Sequence, residues 1–275
     1  MRRAGVLLSI AALLFPACGT DEPEAARPQP VEVRAANYTF ALPTTIEAGV
    51  AEITLKNAGP EPHQAQVLRL NEGVTAKKII DAAKTESADV AIAKLATWAG
   101  GPNAVDAGES QVTTTNIPAG DFVFMCLVPD AKGRPHASLG MVKAFSVAKK
   151  PAAIEVPEPD ARAATKDFDF ELPATWQGSI EVENHGGQPH EFQVMEIAEG
   201  KTEKDFTDWF KAAPGTAGPP TWATGGGVAA IAPGGFDRFE ADLEPGVYYL
   251  MCFVTDPAKK APHFALGMMK RFEVK

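Results

Sequence analysis

The sequence predicts a mainly β chain made of two tandem copies of one domain, each with a short helical insertion. Three observations carry that reading. Landmarks repeat at one period: His63 and His190 lie 127 residues apart, as do His136 with His263 and Met141 with Met268, while Cys126 and Cys252 lie 126 apart. Such a spacing is that of whole domains in series. Glycine (24) and proline (23) together form about a sixth of the chain, which suits many short strands joined by turns. Several segments beside the landmarks alternate polar and apolar residues with the period of a strand.

At the N-terminus, Arg2 and Arg3 precede an apolar run from Gly5 to Phe15, too short to span a bilayer but suited to a signal peptide. Pro16-Ala17-Cys18 follows. Small residues before a cysteine at this point resemble the bacterial lipoprotein cleavage box, although Phe15 and Pro16 depart from its usual residues. The expectation is a signal peptide over 1–17, lipidation at Cys18 and a polar, Pro-rich tether to residue 30. Ordinary signal-peptide cleavage nearby is the alternative. Either reading exports the protein. The first implies a lipid anchor on a bacterial membrane, facing periplasm or cell exterior.

The first domain is expected over 31–148, a linker over 149–160 and the second domain over 161–275. Tyr38-Thr-Phe40-Ala-Leu-Pro43 matches Phe168-Asp-Phe170-Glu-Leu-Pro173. Gln64-Ala-Gln66-Val and Glu191-Phe-Gln193-Val read as half-buried strands, with His63 and His190 on the core side at the start of each. Asp121 to Cys126 and Gly246 to Cys252 are apolar on both faces, so each is a central strand delivering its cysteine at the end. Helices fit Thr75 to Lys84, Ala88 to Ala96 and Thr202 to Ala213. In the last, Thr202 suits an N-cap, and Phe206, Trp209 and Phe210 share one face, reading as a lid on one edge of the fold.

The chemistry concentrates in a stretch that occurs twice: Cys126 to His136 to Met141, and Cys252 to His263 to Met268. Each copy combines a thiol, an imidazole and a thioether, a set that suits copper in electron transfer. A Cys126–Cys252 disulfide is the plain alternative for an exported protein, but it leaves the accompanying His and Met residues unexplained. His185 has no counterpart in the first copy and reads as a loop residue. Gly225-Gly-Gly227 lacks the Lys-Ser/Thr of a phosphate loop.

An upstream histidine recurs in matching context: Asn57-Ala-Gly59-Pro-Glu-Pro-His63 and Asn184-His-Gly186-Gly-Gln-Pro-His190. These segments resemble the Asn-x-Gly-x-x-x-His stretch of plastocyanin-like cupredoxins, the type 1 blue copper proteins. The Cys…His…Met stretches are similar to their C-terminal ligand loop. The resemblance implies two Greek-key β-sandwiches, each with one copper. His63, Cys126 and His136 would be strong ligands with Met141 as the weak axial one. His190, Cys252, His263 and Met268 would take those roles in the second domain. It also implies that the C-terminal histidine of each loop shows an exposed edge in an apolar patch, here beside Ala137 and Leu139, and beside Phe264, Ala265 and Leu266.

One departure matters. Nine residues separate Cys126 from His136 and ten separate Cys252 from His263, against two to four commonly found in the family. Turn-forming Asp130, Gly133, Pro135, Asp256, Pro257 and Pro262 favour an excursion that returns the histidine to the site. A displaced histidine and an incomplete site is the other outcome.

The expected function is single-electron transfer with a protein partner such as a cytochrome or membrane oxidoreductase. A metal-free binding module, or copper storage and delivery, is the alternative. The net charge of -9 argues against nucleic acid. With five histidines and four of them committed, a multicopper oxidase or nitrite reductase centre lacks ligands, so no enzyme activity is expected.

Overall fold

In the computed structural model the described residues are 27–43, 45–148, 156–212, 220 and 222–275. The expected signal peptide, Cys18, most of the tether and residues 149–155 of the expected linker lie outside them. The first domain runs β1 (Gln29–Ala36), β2 (Thr39–Ala41), β3 (Ile46–Glu47), β4 (Gly49–Asn57), β5 (Gln66–Leu70), α1 (Ala76–Ala82), α2 (Ala88–Ile92), β6 (Ala96–Trp98), β7 (Ser110–Ile117), β8 (Gly120–Met125) and β9 (Val142–Ala148). The second runs β10 (Ala161–Lys166), β11 (Asp169–Glu171), β12 (Gln177–Asn184), β13 (His190–Ile197), α3 (Glu203–Ala212), β14 (Ala223–Ile231), β15 (Phe236–Asp242), β16 (Gly246–Met251), β17 (Thr255–Asp256), β18 (Ala261–Pro262) and β19 (Met269–Val274).

Each domain is a sandwich. In the first, β2-β1-β4-β7 faces β3-β9-β8-β5-β6; in the second, β11-β10-β12-β15 faces β14-β13-β16-β19. The expected mainly β class, with short helices inserted between the first histidine and the tryptophan, is what the chain forms. The predicted second helix is shorter than its sequence pattern, because Ala96–Trp98 leaves it to pair with β5. In α3, Asp205 Oδ2 accepts from the Thr202 backbone N–H (2.9 Å), and Asp205 N–H donates to Thr202 Oγ1 (3.4 Å), so this end is capped in both directions. Phe206 is fully buried against Trp209, Trp222, Phe253 and Phe264. The side chain of Phe210 lies outside the described residues.

β8 lies between β5 and β9, and β16 between β13 and β19, so both cysteine-bearing strands are central as their two-faced apolarity requires. Phe122, Phe124, Ile53 and Leu55 belong to the cluster that holds Cys126, and Phe192, Val228 and Leu250 to the one that holds Cys252.

The domains are joined edge to edge. β7 pairs with β15 through Arg238↔Thr114 and Phe239↔Thr113, which makes one eight-stranded sheet from both copies. On the other side of each sandwich, residues 99–103 of the first domain run along β14, with Gly100 N–H to Ala230 O (3.0 Å), Ala229 N–H to Gly101 O (2.8 Å) and Asn103 N–H to Gly227 O (3.1 Å).

This junction corrects the half-buried reading of the histidine strands. Gln64, Gln66 and Gln193 are at most 4% exposed and Glu191 is 9% exposed. Their face meets the other domain, not water. Gln66 satisfies both ends of its amide there, donating to Ala230 O (3.0 Å) and accepting from Ala230 N–H (2.8 Å). A buried polar face is stable only with such pairing.

Candidate metal centres

Three segments build each site. The turn after β4 ends in Asn57, whose Oδ1 accepts from Gly59 N–H (2.9 Å) and whose Nδ2 donates to Glu61 O and Val105 O. Asn184 does the same with Gly186 N–H, Gln188 O and Ile231 O. The turn thus sets down His63 and His190 at one height in each domain. Its glycine is required by space: a methyl group on Gly59 would come 2.7 Å from His63 Nε2, and one on Gly186 would come 2.5 Å from His190 Nε2. The Asn-x-Gly pattern is therefore a seat for the imidazole.

The central strand supplies the thiol, and the long loop supplies the second imidazole. The excursion folds out and closes at its base. His136 N–H donates to Val128 O (3.0 Å) and Ala137 N–H to Cys126 O (2.7 Å); His263 N–H donates to Val254 O (2.8 Å) and Phe264 N–H to Cys252 O (2.9 Å). The histidine thereby returns beside the second residue after the cysteine, the short end of the family spacing. Asp130 organises the first excursion, accepting from Lys132 N–H, Arg134 N–H and the Arg134 guanidinium. In the second, β17 pairs with β18, and Asp256 accepts from Ala258 N–H and Lys259 N–H. The displaced-histidine outcome is not the one realised.

In the first domain, His63 Nδ1 and His136 Nδ1 are 3.1 Å apart, and Cys126 Sγ is 3.9 and 3.4 Å from them. In the second, His190 Nδ1 and His263 Nδ1 are 3.0 Å apart, with Cys252 Sγ at 3.8 and 3.4 Å. All six side chains are fully buried, and both cysteines are free thiols, which removes the disulfide alternative. Gln64 N–H points at Cys126 Sγ (3.4 Å) and Glu191 N–H at Cys252 Sγ (3.3 Å). Met141 and Met268 are also fully buried, and each backbone N–H bonds the carbonyl of its domain's loop histidine.

The outward nitrogens reveal partners the sequence reading missed. His63 Nε2 meets Asn37 Oδ1 (3.3 Å), His190 Nε2 meets Asp167 Oδ1 (2.9 Å) and His263 Nε2 meets Gln188 Oε1 (3.2 Å). His136 Nε2 lies 3.5 Å from Glu61 Oε2, too long for a good hydrogen bond. The signal was present: Asn37 and Asp167 stand just before the matched Tyr38 and Phe168, and Glu61 and Gln188 stand two residues before the matched histidines. Tyr38 and Phe168 themselves pack on His136 and His263, with ring centres 4.9 and 5.2 Å away.

This cover corrects the expected exposed histidine edge. His136, His263, Ala137 and Phe264 are all buried, while Leu139 and Leu266 stay half-buried and Ala265 exposed. The excursions contribute to the cover: Asp256 Oδ2 accepts from Gln188 Nε2 (2.9 Å), which fixes the amide that caps His263. His185 stays apart from the site, exposed and paired with Glu183.

The donor set fits a cation. Oxygen acceptors on Nε2 of His63, His190 and His263 hold the proton there and leave Nδ1 with its lone pair inward. In the second domain two such lone pairs 3.0 Å apart beside a sulfur repel unless a positive charge sits among them. A proton is a poor choice, because burial pushes His63, His136 and His263 down to about 4. Burial likewise pushes the Cys126 thiol up to about 12 and Cys252 well above its ordinary value. A cation held by these residues would favour the thiolate over the thiol.

No family model matches the chain, and no curated protein matches it. Among solved structures it is similar to reduced auracyanin from Roseiflexus castenholzii, at 22% identity over 45% of this chain and 100% of that one, with a TM-score of 0.30. A multicopper oxidase matches at 14% over 90% of this chain and 88% of that one (TM-score 0.24), and the copper nitrite reductase of Nitrosomonas europaea at 11% over 90% and 94% (TM-score 0.26). The last two are enzymes. They overturn the expectation that the chain has no enzyme activity, which had rested on a count of histidines.

Proposed function

We propose that each domain holds one copper ion, bound by His63, Cys126 and His136 in the first and by His190, Cys252 and His263 in the second, and that the protein passes single electrons. The observation that carries this is the convergence of two imidazole nitrogens and a buried thiol in each domain, all within 4.8 Å. Thiolate with two imidazoles suits copper, and Met141 and Met268 supply the weak thioether that tunes its potential. Copper brings a one-electron couple to the site. The chain's part is to hold the ligands where both oxidation states accept them. Asn37, Asp167 and Gln188 fix imidazole orientation, and Gly59 and Gly186 let the turns close on the rings. The buried sandwich keeps water out.

The finer reading is an exported lipoprotein, anchored through Cys18 to a bacterial membrane, that exchanges electrons with a protein such as a cytochrome or membrane oxidoreductase. The N-terminal segment and the net charge of -9 support it. The test is direct. Copper-loaded protein is expected to show an intense thiolate-to-copper band with two ions per chain, halved in Cys126→Ser or Cys252→Ser and lost in the double variant. Failure to bind copper stoichiometrically would sink the proposal, and copper held only as Cu(I) with no reversible redox wave would favour storage or delivery.

A further inference from the structure

The two ligand loops close alike, but what stands behind the closure differs. In each, the loop histidine N–H donates to the carbonyl of the second residue after the cysteine, Val128 in the first domain and Val254 in the second. The residue after that is Pro129 in one loop and Thr255 in the other. Both stand opposite a proline across the base of the excursion, Pro135 and Pro262. Pro129 has no N–H to give. Thr255 has one, and it does not go to its own loop. It donates to Asp89 Oδ2, on α2 of the first domain.

One peptide group of the second loop is therefore held at both ends. Its N–H, that of Thr255, lies on the Asp89 carboxyl; its oxygen, that of Val254, accepts from His263 N–H (2.8 Å). A carboxylate accepting from the N–H of a peptide group polarises it and makes its carbonyl a better acceptor. The Asp89 side chain is itself placed. Its Oδ1 accepts from Val90 N–H (2.9 Å), and Ile92, three residues on, is fully buried in the apolar cluster that also holds Val254 and Cys252. The short helix of the first domain thus packs on β17, the strand that opens the second excursion.

We propose that Asp89 is a positioning residue for the second metal centre, supplied by the first domain: it fixes the Val254–Thr255 peptide group and, through it, the backbone of His263. This rests on the copper reading given above. Asp89 touches neither the metal nor a ligand side chain. It acts on where His263 stands relative to Cys252, whose carbonyl accepts from the next N–H along, that of Phe264 (2.9 Å). The second centre is then not self-contained, because its loop is tied down by the other domain. The first centre lacks this dependence, since Pro129 has no N–H for such a tie.

The experiment uses the full chain carrying Asp89→Ala, Thr255→Pro or both. Thr255→Pro removes only the N–H side of the contact, and the first loop already accommodates proline at this position opposite Pro135. Copper affinity is read by chelator competition for the second site on the Cys126→Ser background and for the first on the Cys252→Ser background. Each single variant is expected to weaken the second site by about tenfold, and the double variant no further, because both remove one contact. The first site is expected to keep its affinity. In the copper-free chain, the His263 amide is expected to exchange with solvent about tenfold faster in either variant, and the His136 amide at an unchanged rate. Unchanged second-site affinity in Thr255→Pro overturns the proposal, even if Asp89→Ala fails to fold. Losses that add in the double variant overturn it too, since the two residues would then act separately. No thiolate band in the wild-type chain sinks the copper reading, and this role of Asp89 with it.

Discussion

Gly186 lies under the His190 ring so closely that a Cβ on it would sit 2.5 Å from Nε2, and 2.6 Å from the Asp167 Oδ1 that accepts from it. No real Cβ contact is that short, so a methyl group must move the ring, the carboxylate or the turn. Gly186→Ala is therefore expected to lower copper affinity in the second domain by about ten- to a hundredfold, the usual scale for disturbing the partners of a metal ligand. The first domain keeps its own glycine and its affinity. Chelator competition on the Cys126→Ser and Cys252→Ser backgrounds separates the two, and equal affinity in the second domain with alanine present would contradict this account.

Asp167 and Asn37 occupy matching places behind His190 and His63 but differ in charge. Burial alone would raise the Asp167 carboxyl, but hydrogen bonds from His190 and Gly187 hold it below its ordinary value, so it is an anion. An anion behind the imidazole favours Cu(II) over Cu(I) more than a neutral amide does. Asp167→Asn is expected to raise the potential of the second domain by on the order of tens of millivolts, where 59 mV is tenfold for one electron. Voltammetry of the single-site variants reads this directly; a downward shift would refute it.

The clusters were legible in the sequence because the chain states them twice. One His, Cys and Met recurring near a single period is hard to explain by packing, and the two-faced apolar strands before Cys126 and Cys252 announced central positions that β8 and β16 occupy. Composition did not carry the fate of the long loops. Turn formers such as Asp130 and Asp256 favoured the excursion, but its closure rests on backbone hydrogen bonds from His136 to Val128 and from His263 to Val254, which residue types alone do not specify. Period-two alternation at Gln64–Gln66 and Glu191–Gln193 correctly gave one polar face, but alternation cannot distinguish water from a second domain as what covers it. The same limit hid the covered edges of His136 and His263, since cover comes from Tyr38 and Phe168 in turns far away in sequence.

The excursion in the first domain is closed at its base by Pro129 opposite Pro135, and the ligands lie outside that closed segment. Its tip is then dispensable for the site. Replacing residues 130–134 by Asn-Gly, a pair that turns a hairpin tightly, is expected to leave the first-domain thiolate band in position and intensity. What should change is exposure: Arg134 and Asp130 lie near Tyr38, which packs on His136. Faster reduction by a small soluble reductant is expected, by a few-fold. Loss of the band would mean that the tip holds His136 in place.

Asp237 ties the domains together and titrates in an unusual range. It is fully buried at the junction, where Oδ2 accepts from Gly101 N–H (2.6 Å) and both oxygens meet Thr115 Oγ1. Burial pushes its carboxyl up to about 7, against the hydrogen bonds from Gly101, Arg238 and Thr115 that favour the ion. In the unfolded chain an aspartate ionises near ~3.9. Between these values the folded state keeps a proton that the unfolded state has released. Its contribution is therefore fully present below about pH 4 and is lost as pH rises through about 7. The buried histidines run the other way. Held at about 4, below their free value, they contribute above about pH 6.5 and lose that contribution as pH falls through 4. Both variants of Asp237 share those histidines, so they cancel in a comparison. Asp237→Asn cannot ionise, and the stability difference, wild type minus variant, is expected to fall by on the order of 4 kcal/mol between pH 4 and pH 8. Urea unfolding of the copper-free protein across that range measures it. Parallel curves for the two proteins would show that Asp237 has the same proton occupancy folded and unfolded, and that the junction is held by its hydrogen bonds without regard to its charge.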